Sequence, residues 1–168
     1  MGCTWIDLYS IFICLFGPSI RLMKKIILLL PLILISCIQK FDPEPKLVEA
    51  LKNESISIRG NLIDMNERVY RLDYYDIYEP DSHYELIVAK GYHGGGPTWL
   101  GIIYGAITLS NLELLDQIRF DDEAEGLTIW SQNKSALEQI GRLISVVKSN
   151  EKLMDDCINV AKAKWKME

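Results

Sequence analysis

Asp116-Gln117-Ile118-Arg119-Phe120-Asp121-Asp122-Glu123-Ala124-Glu125-Gly126-Leu127-Thr128-Ile129-Trp130-Ser131, followed by Ala136, Leu137, Ile140, Leu143, Ile144 and Val147, is the stretch that decides the fold. Residues 116–120 and 127–131 read as two strand arms. The polar run 121–126, ending in glycine, reads as the loop between them. From 136 to 147 the apolar residues recur at helical spacing on one face. Ser135 and Glu138 have capping-box spacing, and Ser131 or Asn133 offers a cap one turn earlier. A hairpin feeding an amphipathic helix belongs to an α+β domain.

Working upstream, Gly91-Tyr92-His93-Gly94-Gly95-Gly96-Pro97 interrupts every periodic pattern. Pro97 suits the first turn of a helix. Trp99, Ile102, Ile103, Ala106 and Ile107 follow at helical spacing, and this helix is apolar nearly all round, hence buried. Val69–Tyr78 alternates with Tyr70, Leu72, Tyr74 and Tyr78 on one face, which predicts a strand. Glu79–Ser82 is a turn by composition. Tyr84–Ala89 is apolar on both faces, which predicts a central strand. Ile56 and Ile58 suggest a short strand, Asn61–Asn66 a turn, and Leu47–Lys52 one or two helical turns. Leu153, Cys157, Val160, Ala161 and Trp165 mark a last helix. The expectation is a single α+β domain over 47–168, a mostly antiparallel sheet packed against about three helices. Trp99 and Trp130 are expected in the core, Trp165 half exposed, and Tyr92 as the exposed aromatic.

The chain has 168 residues, 49% apolar and 24% charged, with a net charge of −5. This excludes a disordered tail, a collagen-like fibre and a disulfide-dense miniprotein. The charge is uneven. Residues 38–168 hold 15 Lys/Arg against 22 Asp/Glu, a net of −7. Phosphate contacts need clustered cations, so no nucleic-acid partner is expected. Residues 1–37 carry only Asp7, Arg21, Lys24 and Lys25 as charges. From Met23, two lysines precede the apolar run Ile26–Ile35, then Ser36-Cys37, as in a secretory signal. The run is shorter than the roughly 20 residues that span a bilayer. Leu34-Ile35-Ser36-Cys37 resembles a bacterial lipobox, which implies cleavage before Cys37 and its lipidation. Residues 23–36 then form the signal peptide and 37–46 the lipidated cysteine and a Pro-containing tether. Residues 1–22 fit poorly, because Arg21, Lys24 and Lys25 separate their apolar run from the next. They are expected to be upstream sequence, with translation starting at Met23.

Little in the chain points to catalysis. His93-Gly94-Gly95-Gly96 spells an oxyanion-hole motif of some lipases, yet no G-x-S-x-G follows, and a loop motif without nucleophile and base is no active site. The glycines permit positive φ and close backbone approach, which fits a tight connection into the next helix. Free N–H groups there could also bind an anion. His83 and His93 stand ten apart without a cysteine or histidine cluster, so zinc spacing is absent. Asp121, Asp122, Glu123 and Glu125 lack the calcium-loop pattern and read as a solvated turn or a negatively charged docking edge. Cys3 and Cys14 lie in the extension and Cys37 is the anchor, which leaves Cys157 alone on an apolar helix face, buried and unpaired.

The segment from Tyr84 to the C-terminus resembles the immunity protein 51 family of bacterial polymorphic-toxin systems. The resemblance rests on Gly91-Tyr92-His93-Gly94-Gly95-Gly96-Pro97-Thr98-Trp99 and on Phe120–Gly126 with the apolar strand, Ser131 and the Leu137 helix after it. The chain departs from the family pattern with His93 for a glutamate, Gly95 for an asparagine and Pro97 for an aromatic, which suits a different partner. The resemblance implies stoichiometric binding and neutralisation of a cognate protein toxin, with no catalytic residue, metal or cofactor. Tyr92, His93, Asp121, Asp122, Glu123 and Glu125 are the expected toxin contacts. The expected location is the cell envelope, lipid-anchored through Cys37, or the cytoplasm if the signal is not used. The competing expectation is an exported structural or ligand-binding lipoprotein.

Overall fold

The computed structural model describes residues 41–66, 68–164 and 167. The expectations for residues 1–22, the signal 23–36, Cys37 and Trp165 lie outside the described residues.

Four strands, β1 (Asn61–Asp64), β2 (Tyr70–Tyr74), β3 (Ile118–Glu123) and β4 (Gly126–Ser131), form one antiparallel sheet in the order β1-β2-β4-β3. Register places Leu62, Leu72, Ile129 and Phe120 in one row across it. With Tyr74 and Leu127 they make the core face. Leu72, Tyr74, Leu127 and Ile129 are wholly buried. The helices are α1 (Pro45–Lys52), α2 (Ser82–Ala89), α3 (Gly96–Thr108), α4 (Lys134–Lys148) and α5 (Glu151–Lys164). Helix α4 packs on β2 and β4, α3 on β3 and β4, α5 on α3 and α1 on α4. The α+β class and mostly antiparallel sheet are as expected. Five α-helices stand among the described residues instead of about three.

The extra helices come from caps and tertiary bonds. Tyr84–Ala89 is not a strand. The Asp81 carboxylate accepts from His83 N (3.0 Å) and Tyr84 N (3.0 Å) and so starts α2. A short apolar run has no period of its own, and the cap decides. Only Ile87 in it is buried. Ile56–Ile58 is not a strand either, because its backbone is used by α4. Ser145 Oγ donates to Ser57 O (2.6 Å) and Arg59 N to Gly141 O (3.1 Å). Asn61–Asp64 pairs with β2 where a turn was expected. The reversal falls later, at Asn66 and Arg68, both with positive φ. The buried Arg142 donates to Ala50 O and Leu51 O (both 3.1 Å), satisfying end carbonyls of α1. Phe41 packs against the core, and Glu44 N donates to Leu109 O (2.8 Å), holding the segment that enters α1.

Trp99 is in the core, edge-on to Tyr74 with ring centroids 4.9 Å apart. Trp130 is not. Strand alternation turns it to the opposite face of the sheet, where it is half-buried.

Candidate functional site

The two motifs singled out in the sequence meet at one end of the domain. Strand β3 pairs through Glu123 with Gly126, so the hairpin turn shrinks to Ala124 and Glu125. The start of α3 sits on that turn. Gly96 N donates to Ala124 O (3.5 Å). A Cβ on Gly95 would lie 2.7 Å from Ala124 O, and one on Gly96 would overlap the carbonyl oxygens of Glu123 and Gly126. Gly94 has φ +78° and donates its N–H to Thr98 Oγ1 (3.2 Å). The glycine loop is thus a tight connection, seated backbone-to-backbone on the hairpin. It joins a helix, not a strand, to α3.

Asp121, Asp122, Glu123 and Glu125 are all exposed, and so is His93. Alternation puts Asp121 and Glu123 on the sheet face away from the core and Asp122 on the other. Tyr92 is not the exposed aromatic that was expected. It is half-buried against the core, with Lys162 Nζ 5.8 Å from its ring centroid. Exposed tyrosines stand instead at Tyr75 (62%) and Tyr78 (46%). Both border the acidic turn. Tyr78 Oη donates to Ala124 O (2.8 Å), and a Cβ on Gly126 would overlap the Tyr75 ring. Tyr84 lies edge-on to Tyr78 at 6.2 Å. Sequence alternation ran the strand on to Tyr78. The strand ends at Tyr74, and the 3-10 turn Asp76–Tyr78 swings the next aromatics out. The Tyr74-Tyr75-Asp76 step and the absence of a side chain at Gly126 were the available signals.

A buried cation braces this end. Lys148, at the close of α4, has a side chain only 3% exposed. Its Nζ lies 2.8 Å from Asp81 Oδ2, 3.4 Å from Glu79 Oε2 and 5.7 Å from the Trp99 ring centroid. Arg59 binds the same Glu79 at 2.5 Å. Burial works to raise the Asp81 carboxyl. The Lys148 hydrogen bond, the Tyr84 N–H and the charges of Lys148 and His83 outweigh it and hold it below the ordinary aspartate value. Burial pushes the Tyr74 phenol well up, only partly opposed by Arg59. The brace ties the Glu79–Asp81 turn, and so the tyrosine segment and the start of α2, to α4.

Cys157 is a free, buried thiol that burial pushes far above its usual range. Among the described residues no three His, Cys, Asp or Glu side chains are placed to hold a metal ion. What this end offers is a preformed surface of carboxylates and tyrosines on a rigid backbone seat. A family model described as Immunity protein 51 matches residues 61–163, from β1 almost to the end of α5. No curated protein and no solved structure matches the chain.

Proposed function

The chain belongs to the immunity protein 51 family, and on that premise we propose that it neutralises a cognate bacterial toxin by stoichiometric contact, without turnover. The family match over the whole sheet and its packed helices carries this reading. The geometry supports it: the acidic turn is held by backbone bonds, so little ordering entropy is lost when a partner docks. The net charge of −7 over residues 38–168 speeds encounter with a basic face and disfavours acidic partners. The contacts at this end are His93, Asp121, Asp122, Glu123 and Glu125, with Tyr75 and Tyr78 beside them and Tyr92 at the margin.

The same proposal places the mature chain in the envelope, held by lipid on Cys37. Two or more acyl chains give stable anchoring at about 0.8 kcal/mol per buried methylene. The toxin then acts outside the cytoplasm. Co-expression with candidate toxin domains tests the function. The chain is expected to restore growth, and reversing Asp121, Glu123 and Glu125 to lysine is expected to weaken protection. Unchanged toxin affinity after that reversal and His93→Ala would remove this end from the contact.

A further inference from the structure

We propose that the partner is gripped on the face of the sheet that no described helix covers by Trp130, held between Arg71 and Arg119, and that it presents there a carboxylate beside an apolar side chain. This rests on the immunity reading and names the chemistry of the toxin segment. Ile63, Arg71, Trp130 and Arg119 are register partners in one row across all four strands, on the face opposite Leu72 and Ile129. The guanidinium carbons of Arg71 and Arg119 lie 5.5 and 6.0 Å from the Trp130 ring centroid. The described helices pack on the other face, so nothing in the core accounts for a tryptophan here. Its indole N–H is shielded from solvent and has no acceptor among the described residues.

The two arginines differ. Arg71 is bound to Asp73 (2.9 Å), whose other oxygen accepts from Thr128 Oγ1 (3.0 Å). Arg119 is exposed and forms no ion pair among the described residues. In an acidic domain this leaves a planar, bidentate carboxylate binder open beside an aromatic plate. An open groove of about 610 Å³ adjoins it, with Val69, Ile118 and Trp130 as apolar wall, Gln117 and Gln132 as polar rim and Asp116 as a carboxylate at its edge. In the other direction the same face runs through Thr128 and Asp121 to Tyr75 and Glu123 at the hairpin turn. The face therefore carries the Arg119 guanidinium and the indole beside the groove and carboxylates at the turn. A toxin segment lying along it sets its carboxylate and apolar side chain at Trp130 and its cations toward Glu123. Tryptophan and arginine are the residue types that most often dominate binding energy.

The test is titration calorimetry of the full chain in detergent against candidate toxin domains, each inactivated by substitution. Arg119→Glu and Trp130→Ala are expected to weaken affinity by about 30-fold or more. Arg119→Lys should lose less, and reversing one toxin carboxylate to lysine should restore binding to R119E. Arg119 is exposed, so an unchanged melting transition for R119E shows that the loss is not unfolding. Wild-type binding with R119E and W130A equally tight overturns the inference and leaves the immunity reading standing. Wild-type chain that neither binds nor protects overturns both. A homodimer that W130A splits while toxin affinity holds assigns the face to a second copy and also overturns the inference.

Discussion

Lys148 shows how one residue sets local stability. An ammonium out of water costs several kcal/mol unless matched, and Asp81 and Glu79 supply the match at 2.8 and 3.4 Å. Asp81 also caps α2. Asp81→Ala removes cap and counter-ion together and is expected to cost about 2–4 kcal/mol in urea unfolding. The sign of the pH effect follows from the lowered Asp81 pKa. Its contribution is whole above the unfolded value, about pH 4, and is lost as pH falls through the folded value. Asp81→Asn should therefore flatten the acid limb of the stability curve. Cys157 gives a second check. Buried, with its thiol pushed far up, it should resist a maleimide in the native chain and react only on unfolding. Its burial was legible from its place on the apolar stripe of the last helix. The placing of Trp130 off the core face, by contrast, was hidden, because strand alternation states two faces but not which one the helices cover.

At the level of elements, two contacts are made by backbone alone. A Cβ on Gly105 would overlap the Cys157 backbone where α3 crosses α5, and one on Gly96 would overlap the hairpin. Gly105→Ala and Gly96→Ala are each expected to destabilise by about 1–3 kcal/mol by overpacking. Gly96→Ala should also shift the amide resonances of Glu123–Gly126, while Gly105→Ala should leave them in place. Among the three candidate caps for α4, Asn133 is the one used, accepting from Ser135 N (3.1 Å). Asn133→Ala should cost about 1 kcal/mol. The hairpin, α3, α4 and α5 were legible from period and punctuation. Helix α2 and strand β1 were not. The first depends on the Asp81 cap and the second on pairing with β2, and neither leaves a period in four to eight residues.

For the whole molecule, the proposed anchor makes a direct prediction. Cys37→Ser is expected to move the chain from the membrane to the soluble fraction, read by fractionation. N-terminal sequencing of the native chain should find no residues 1–22. The acidic excess, the amphipathic helices, the glycine loop and the family resemblance are properties of composition, spacing and motif, so the linear chain settled them. That the glycine loop clasps the acidic turn, that Tyr75 and Tyr78 stand around it, and that Trp130 looks away from the core are relations between distant segments. Packing decided those, because a side chain's exposure depends on what the rest of the chain lays over it, and local patterns carry no record of that.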